Sequence, residues 1–450
     1  MFDTIAAIST SLGVGAISII RISGNDSIKI INKIFSKNLI NAKSHTIHYG
    51  NIIENNKVID EVLISIMKSP KTFTTEDVVE INCHGGISTT NKVLELVLNN
   101  GARLAEPGEF TKRAFLNGRI DLLEAESIMD LINSKTEKSR KLAINGINGK
   151  ISRMINNLRG DILKIIANIE ANIDYPEYED ILVITTEMIS KNMIKIKEKL
   201  SKILKEAENG KIIKDGIHVL ILGRPNVGKS SILNRLLDEE KAIVTDIEGT
   251  TRDIVEGSIN LDGILLNIVD TAGVRKTNNI IEEIGVNKSL KLIEEVDLII
   301  LVLNNNEELN EQDLDLINRT KNKKRIILIN KMDLEKKIDL NKLNKEELVL
   351  GSTIDDLGLD NLKNKIKEMF NFEELEKEDL TYLSNARQIS LLKQCIELAK
   401  NIEISILEKM PIDMIEIDIK SIWELLGSII GQTYEEELID QLFSQFCLGK

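Results

Sequence analysis

The feature that most constrains the fold is an eight-residue pattern, Gly223-Arg-Pro-Asn-Val-Gly-Lys-Ser230. It follows the apolar run 217–222 and precedes apolar residues at helical spacing, which predicts a strand, a tight loop and a helix. In this context the backbone N–H groups of the loop and the helix N-terminus form a concave anion site. We expect Lys229 to contact the outer phosphates of a nucleotide and Ser230 to bind Mg²⁺ through its hydroxyl. A glycine turn without a ligand is the alternative interpretation of so short a pattern.

A second motif, Asn330-Lys-Met-Asp333, indicates which nucleotide binds. It follows the predicted strand 325–329, so it lies at the carboxyl end of that strand. The carboxylate of Asp333 can accept two N–H bonds from the edge of guanine, which adenine cannot supply. The motif therefore favours GTP over ATP and argues against a general ATPase. Ser352-Thr353 follows the predicted strand 347–350 and is a weaker match to a loop on the guanine side.

Two further segments supply candidate groups around the phosphates and Mg²⁺. Asp270-Thr-Ala-Gly273 ends the predicted strand 265–269. We expect Asp270 to reach Mg²⁺ through water and Gly273 to offer its N–H to the outermost phosphate. Gly249-Thr-Thr-Arg-Asp253 lies between this segment and the phosphate loop, where a switch loop offers a threonine hydroxyl to Mg²⁺. The motifs occur in the order expected for a GTP-hydrolysing domain.

The catalytic group of this domain is not given by the motifs themselves. Val274 stands where Ras-type GTPases place a glutamine that orients the attacking water, and valine cannot polarise water. Asn226 could ligate a monovalent cation beside the phosphates and stabilise the charge that develops there. Glu282 could orient the water through a bridging water, and a solvated carboxylate at a helix cap is an equally weighted alternative for it.

Composition bounds the rest of the chain. A length of 450 residues predicts two to four domains, and a net charge of −13 argues against broad, non-specific binding of nucleic acid. The three cysteines lie far apart without a Cys-x-x-Cys pair, which argues against a structural zinc site and indicates a reducing compartment. No run approaches the roughly 20 apolar residues of a membrane span, and no basic leader is present, so we expect a cytoplasmic protein with no membrane partner.

Cys83-His84 suggests a nucleophile and a base. Adjacent residues of a strand point to opposite faces, so we favour a turn at this position over a catalytic pair.

The order of periodicities predicts the domain organisation. Short apolar runs up to about residue 117 indicate an α+β domain, and helical periodicity then continues to about residue 210. Strands and helices alternate from 217 to about 370, and helical periodicity resumes after 371. The predicted fold class is a multidomain α/β protein with an N-terminal α+β domain. Its nucleotide domain, a parallel sheet with helices on both faces, is inserted into an all-helical domain assembled from both flanks.

Several segments outside the nucleotide motifs carry a family resemblance. The chain ends in Phe446-Cys-Leu-Gly-Lys450, and its switch segment reads Ala242-Ile-Val-Thr-Asp-Ile-Glu-Gly-Thr-Thr-Arg-Asp253. The N-terminal region contains Ile20-Arg-Ile-Ser-Gly24, Cys83-His-Gly-Gly86, and Pro107-Gly-Glu-Phe110 through Phe115-Leu-Asn-Gly118. With the nucleotide motifs, these segments resemble the MnmE (TrmE) family of tRNA modification GTPases along essentially the whole chain.

The resemblance implies the domain boundaries and a folate site. The implied parts are a folate-binding, dimerising domain at 1–118, a helical domain at 119–212 and 372–450, and a P-loop G domain at 213–371. The implied folate site binds a formyl- or methylene-tetrahydrofolate derivative through Arg21, Glu80, Arg119 and Lys450. Cys447, beside that site, is a candidate catalytic nucleophile, and a packing role is its alternative.

The resemblance also assigns the nucleotide site. It implies Mg²⁺ on Ser230 and Thr251, K⁺ on Asn226, Thr245, Ile247 and Thr250, and a catalytic role for Glu282. The implied GTP-binding residues are Asn226, Val227, Gly228, Lys229, Ser230, Ser231, Thr245, Asp246, Ile247, Glu248, Gly249, Thr250, Thr251, Asp270, Thr271, Ala272, Gly273, Asn330, Lys331, Met332, Asp333, Ser352 and Thr353.

The implied function is potassium-dependent GTP hydrolysis coupled to tRNA modification. The homodimer is expected to form a heterotetramer with the flavoprotein MnmG. Together they would attach a carboxymethylaminomethyl or aminomethyl group to C5 of the wobble uridine, with folate supplying the one-carbon unit. The alternative, from a different class, is a GTPase switch in ribosome assembly. Such a switch should carry a basic RNA-binding module, which this acidic sequence does not recognisably contain.

Overall fold

The computed structural model describes residues 3–174, 186–239, 255–269, 292–343, 347–352, 357–375, 383–433 and 436–449. The chain divides into two compact units, one formed by 1–132, 146–196 and 394–450 and the other by 133–145 and 197–393. None of the described helices is both long and apolar enough to cross a membrane. The domain boundaries at 118, 212 and 371 stay predictions.

The strands and helices follow in chain order. The strands are β1 (Ile5–Ile8), β2 (Ile17–Ser23), β3 (Thr46–Glu54), β4 (Lys57–Met67), β5 (Val78–His84), β6 (Arg103–Leu104), β7 (Ile217–Leu222), β8 (Val255–Leu261), β9 (Ile264–Val269), β10 (Leu298–Asn304), β11 (Arg325–Asn330) and β12 (Leu348–Leu350). The helices are α1 (Ser27–Ile34), α2 (Ile87–Asn99), α3 (Glu109–Leu116), α4 (Leu122–Asn133), α5 (Glu137–Ile147), α6 (Lys150–Asp174), α7 (Thr186–Asp215), α8 (Lys229–Glu239), α9 (Glu311–Arg319), α10 (Leu357–Met369), α11 (Phe372–Leu375), α12 (Ala386–Leu407), α13 (Ile412–Ile430) and α14 (Glu436–Phe443). A 3₁₀ turn spans Leu340–Lys342, and residues 292–295 are also helical.

The first unit contains a six-stranded sheet in the order β3-β4-β5-β2-β1-β6. Neighbouring strands are antiparallel, except that β1 and β6 are parallel. Buried and more exposed residues alternate along β2 and β4, which places one face of the sheet on a core. Helices α1 and α2 supply the other side of that core. Helices on one face of a largely antiparallel sheet give the predicted α+β arrangement.

Helices from both flanks pack together in the same unit. The guanidinium carbon of Arg159 on α6 lies 4.1 Å from the ring centroid of Trp423 on α13. Arg159 Nε also donates to the Trp423 carbonyl at 3.2 Å, and Lys420 forms an ion pair with Glu170 at 2.7 Å. The periodic apolar residues of α6 and α13 are buried. This contact confirms that the two flanks share a helical core.

The second unit contains a six-stranded sheet in the order β12-β11-β10-β7-β9-β8. Its strands are parallel except for β8, which is antiparallel to β9. Alternate residues of β7 enter different cores: Val219 and Ile221 lie in one cluster, and Leu220 and Leu222 in another. A strand buried on both faces is typical of a parallel sheet between two helical layers. The predicted fold class is therefore confirmed.

Two turn signals, Asn209-Gly210 and Asp215-Gly216, predict the boundary before the strand of the phosphate loop, and the first of them does not end the helix. Asn209-Gly210 predicts a turn before the nucleotide domain, but α7 continues through it and ends at Asp215. Ala207 and Ile213, on either side of the pair, are 0% and 1% exposed. Packing of this apolar face therefore outweighs the local turn preference. The second boundary signal, Asp215-Gly216, lies at the end of α7 and directly before β7.

Candidate functional site

The phosphate loop connects β7 to α8, as the sequence predicts. Gly228 in this loop has a φ of +103°, a conformation that residues with a side chain rarely adopt. A Cβ atom built on Gly228 would lie 2.2 Å from Nδ2 of Asn330. Glycine is therefore required here both by the backbone and by the side chain of the second motif.

Asn330 joins the guanine motif to the phosphate loop. Its Nδ2 donates to the carbonyl of Val227 at 2.8 Å, and the residue is 2% exposed. Lys331 makes a second connection, because its Nζ donates to the carbonyl of Asn226 at 2.9 Å. Asn226 itself has a φ of +64° and lies exposed at the loop tip. Two side chains of one motif thus hold two successive carbonyls of the other.

Lys229 folds back over its own loop. Its Nζ donates to the carbonyl of Gly223 at 2.7 Å and to that of Arg224 at 2.5 Å. These contacts hold the ammonium group at the start of α8. Ser230 and Ser231 follow in the first turn of this helix, and both are exposed. The hydroxyls of these serines and the N–H groups at a helix start are of the kind that binds Mg²⁺ and phosphate.

Asp333 lies next to Ser352, as expected for two residues on the guanine side. The Ser352 hydroxyl donates to Oδ1 of Asp333 at 2.5 Å. Met332 N donates to the carbonyl of Gly351 at 3.4 Å, which joins the loops after β11 and β12. Ser352 is buried, whereas Asp333 is exposed, so the carboxylate is oriented on one side and open to solvent. The exposed carboxylate of Asp333 is an acceptor that fits the N–H edge of guanine.

The ion pairs of Arg224, inside the phosphate loop, are not predicted by any sequence pattern. Its Nε donates to Asp313 at 2.8 Å, and its Nη2 lies 3.1 Å from Glu307. Asp313 is 1% exposed and forms a capping box with Asn310 at the start of α9. Burial alone would lower the pKa of Arg224, but the two carboxylates raise it. The Asn310-x-x-Asp313 spacing is typical of a capping box, but no sequence pattern predicts that Asp313 also pairs with Arg224.

Many predicted nucleotide-site residues lie outside the described residues. They are Thr245, Asp246, Ile247, Glu248, Gly249, Thr250, Thr251, Asp270, Thr271, Ala272, Gly273, Glu282 and Thr353. Val274 and Lys450 lie outside them as well. The structure brings together the remaining nucleotide-site residues, which belong to 226–231, 330–333 and 352.

The first unit holds a second candidate site around Arg21. Arg21 on β2 and Glu80 on β5 are paired in register, and Arg21 Nε donates to Glu80 at 2.9 Å. The guanidinium carbon also lies 5.8 Å from the centroid of the Phe110 ring. Arg119 lies over a neighbouring ring, with 5.0 Å between its guanidinium carbon and the centroid of Phe73. Both rings belong to one small apolar cluster.

The C-terminal tail lies against the same site. The Gly449 carbonyl accepts from Arg21 Nη1 at 3.2 Å and from Ser9 Oγ at 3.0 Å. The Cys447 carbonyl accepts from the N–H of Gly108 at 3.3 Å. The structure therefore brings Arg21, Glu80 and the tail together. Cys447 is exposed there, and its thiol is not buried in packing.

Strand β5 extends through Cys83 and His84, so the turn predicted at this position is wrong, but the two side chains face opposite ways as the alternation of a strand requires. Cys83 is 2% exposed in the core, where burial raises the pKa of its thiol. His84 is exposed, and its Nδ1 lies 2.7 Å from Oδ1 of Asp60. The hydrogen bond to Asp60 raises the pKa of His84. The two side chains form no catalytic pair.

A buried charge network, also missed by sequence reasoning, supports the Arg21 site. Arg113 on α3 is 2% exposed and donates to Asp3 and Glu109 at 2.9 Å and to Glu76 at 3.1 Å. The hydrogen bond from Arg103 is the main cause that lowers the pKa of Asp3. Burial would raise the pKa of Glu109, but hydrogen bonds from Arg103, the Glu106 backbone and Arg113 lower it. The network fixes α3, which carries Phe110 beside Arg21.

Comparisons with known proteins cover the whole chain. A family model described as the MnmE helical domain matches residues 122–447, and one described as the GTP-binding protein TrmE N-terminus matches residues 4–119. A tRNA modification GTPase MnmE of Ligilactobacillus salivarius is 51% identical over 457 residues, covering 100% of this chain and 98% of the relative. One from Lactococcus lactis subsp. cremoris (strain SK11) is 50% identical over 450 residues, covering 100% and 99%.

Among solved structures, the G domain of the T. maritima FeoB iron transporter is 33% identical. It covers 34% of this chain and 97% of its own, with a TM-score of 0.27. The matches to the two family models and to full-length relatives show that the chain belongs to the MnmE (TrmE) family.

Proposed function

We propose that this chain is a tRNA modification GTPase, the activity named for its relatives. The observation that carries the GTPase part is the junction of the guanine motif with the phosphate loop. Asn330 holds the Val227 carbonyl, and Asp333 presents a carboxylate oriented by Ser352. Recognition of the base and placement of the phosphates therefore depend on one connected set of side chains.

The proposed hydrolysis uses groups from the loop and from the segments outside the described residues. Lys229 contacts the outer phosphates, and Ser230 with Thr251 holds Mg²⁺, which neutralises charge on the phosphate oxygens. Asn226, Thr245, Ile247 and Thr250 hold K⁺ beside the phosphates. The exposed, left-handed Asn226 at the loop tip supports this assignment.

Glu282 orients the attacking water in this proposal, which supplies the role that Val274 cannot fill. The other GTP-binding residues implied by the family resemblance complete the site. G domains of the two subunits meet across their nucleotides.

The Arg21 site is the proposed folate site. Arg21, Arg119 and Lys450 supply cations for the folate carboxylates, and Glu80 accepts N–H groups of the pterin. The partly exposed ring of Phe73 beside Arg119 supports the site, because a flat heterocycle packs on aromatic and guanidinium surfaces. Phe110 is fully buried, and its ring supports Arg21 from the core. The folate supplies a one-carbon unit. Cys447, exposed in the tail, is the proposed nucleophile.

We further propose a cytoplasmic homodimer that joins the flavoprotein MnmG in a heterotetramer. The complex adds a carboxymethylaminomethyl or aminomethyl group to C5 of the wobble uridine of tRNA. Domains at 1–118, 119–212 with 372–450, and 213–371 carry the folate, helical and GTPase functions.

The decisive experiment compares wobble uridines in tRNA from cells with and without this protein. Loss of the C5 group, restored by the wild-type gene but not by Asp333→Ala, is the expected result. Asp315→Ala is the matched control, because Asp315 forms an ion pair with Arg319 within α9 at 2.7 Å. Unchanged tRNA together with stalled ribosomal subunits would instead support the ribosome-assembly switch and overturn the proposal.

The same assay with purified components tests the cofactors. Modification is expected to need the flavoprotein, GTP, folate and K⁺, and replacement of K⁺ by Na⁺ is expected to slow hydrolysis. Equal hydrolysis rates in the two salts would remove the potassium site from the proposal.

A further inference from the structure

We propose that Ser9 is a positioning residue that holds the C-terminal tail, and with it Cys447, against the N-terminal sheet. The hydroxyl of Ser9 donates to the Gly449 carbonyl at 3.0 Å, across 440 positions of sequence. Ser9 is itself placed by the sheet, because its N–H donates to the Ile19 carbonyl at 2.8 Å. A fixed donor therefore meets the carbonyl of a residue next to the end of the chain.

The tail is seated by geometry as well as by hydrogen bonds. Gly449 has a φ of +86°, and a Cβ built on it would lie 2.3 Å from the Ile8 carbonyl oxygen. A backbone oxygen cannot move aside as a flexible side chain can, so only glycine fits. Gly449 is buried although it stands near the chain end. A second carbonyl, that of Cys447, is held by the N–H of Gly108.

The contacts of Ser9 and Gly108 with the tail form a clamp, and Arg21 connects this clamp with the proposed folate site. The part of the inference that concerns a ligand rests on that proposed function. Arg21 uses Nε for Glu80 and Nη1 for Gly449. A guanidinium has five N–H donors, so these two contacts fix its plane and leave further donors for a carboxylate. A seated tail therefore presents an already oriented Arg21 to a ligand. Ser9 serves the tail, so its replacement tests the clamp without removing Arg21.

The three cysteines of the chain permit a direct measurement of tail seating. Cys447 is exposed, whereas Cys83 and Cys395 are buried, and burial raises the pKa of Cys395 to about 12. A maleimide nitroxide added to the full-length native chain should therefore label Cys447, and mass spectrometry confirms one label. Electron paramagnetic resonance then reports the ratio of immobile to mobile label.

The wild-type spectrum should be dominated by the immobile component. Ser9→Ala should raise the ratio of mobile to immobile label about two- to tenfold, as expected for the loss of one neutral hydrogen bond. Ser9→Thr, which keeps the hydroxyl, should restore the wild-type ratio. Gly449→Ala should raise the ratio of mobile to immobile label more than Ser9→Ala does, because its methyl group would meet the Ile8 carbonyl. Ser444→Ala is the matched control, because the Ser444 hydroxyl donates to the Gln441 carbonyl within the same terminal segment.

A mobile label in Gly449→Ala but a wild-type spectrum in Ser9→Ala would overturn the role of Ser9. A wild-type spectrum in both variants would overturn the clamp itself. Unchanged GTP hydrolysis and circular dichroism confirm that Ser9→Ala is folded.

Titration of unlabelled protein with formyl-tetrahydrofolate separates the clamp from the ligand site. Weaker binding by Ser9→Ala, to the same degree as the shift in tail mobility, supports their coupling through Arg21. A mobile tail with unchanged folate affinity would leave the clamp standing and refute that coupling. No folate binding by the wild type would overturn the proposed folate site, and the spectra would still decide the clamp.

Discussion

The contact between Asn330 and Val227 makes a quantitative prediction for nucleotide binding. The side chain is 2% exposed and donates to a buried carbonyl at 2.8 Å. Asn330→Ala removes this hydrogen bond and leaves the carbonyl without its partner, at a cost of about 1–3 kcal/mol. If the bond shapes the phosphate loop for its ligand, that cost appears as roughly 5- to 140-fold weaker nucleotide binding.

The assay must separate the loop from the base, because Asn330 is also a proposed contact of GTP. We expect Asn330→Ala to weaken the binding of a fluorescent GDP analogue and also that of inorganic tripolyphosphate. Tripolyphosphate has no base, and its binding is measured by displacement of the analogue. Asn267→Ala is the matched control. Asn267 is 9% exposed, and its Nδ2 donates to the Asp215 carbonyl at 2.8 Å, away from the loop. The Asn267→Ala variant should be destabilised about as much as Asn330→Ala but keep the wild-type affinity for both probes.

A wild-type affinity of Asn330→Ala for tripolyphosphate would refute the reasoning, since the side chain would then act on the base alone. Equal losses in Asn330→Ala and Asn267→Ala would also refute it, because the effect would be general destabilisation.

Two further predictions follow from the charged groups. The pKa values of Asp3 and Glu109 are lowered in the fold from 3.8 and 4.5, so these carboxylates stabilise the native state above those values. This stability should be lost as the pH falls below about 4.5, with hydrogen exchange in β1 and α3 rising there; exchange unchanged down to pH 3 would contradict it. Asp313→Asn keeps an acceptor for the capping box but removes the charge that faces Arg224. It should weaken GTP binding about fivefold, roughly 1 kcal/mol, and an unchanged titration would show that Arg224 does not position the loop.

Local patterns made the nucleotide domain predictable. Apolar runs with turn residues at their ends place the loop after β7 and Asp333 after β11. Parallel strands bring their carboxyl ends to one edge of the sheet, so these residues meet there. The contacts that connect them were not predictable, because Asn330 and Val227 lie 103 positions apart in sequence. Their meeting depends on the path of every intervening segment.

The same physical reason explains the other differences. Asn209-Gly210 has a strong local turn preference, yet the burial of Ala207 and Ile213 decides its conformation. No sequence pattern around Arg113 predicts that Asp3, Glu76 and Glu109 are its partners. Arg21, Glu80 and the tail are assigned to one site only by the family resemblance, since no periodicity relates residues 21 and 449. No sequence pattern predicts a role for Ser9.

The two candidate sites share one structural arrangement, and this arrangement predicts which substitutions should weaken binding or tail seating most. In each, a side-chain donor holds a backbone carbonyl in a segment shaped by a glycine with positive φ: Asn330 with Gly228, and Ser9 with Gly449. Loss of the donor removes one hydrogen bond, whereas a Cβ on the glycine lies 2.2 or 2.3 Å from its neighbour and also strains the backbone. Gly228→Ala should therefore weaken tripolyphosphate binding more than Asn330→Ala.

The neighbour of each new methyl group decides whether the two changes add. At Gly228 the clash is with the Asn330 amide, so Asn330→Ala removes the atom that the methyl group meets. The double variant should therefore bind tripolyphosphate more tightly than the product of the single effects predicts. At Gly449 the clash is with the Ile8 carbonyl, which Ser9→Ala leaves in place. There the double variant should release the tail no less than Gly449→Ala alone. Strict additivity at Gly228 would show that backbone strain, and not the contact with Asn330, requires the glycine.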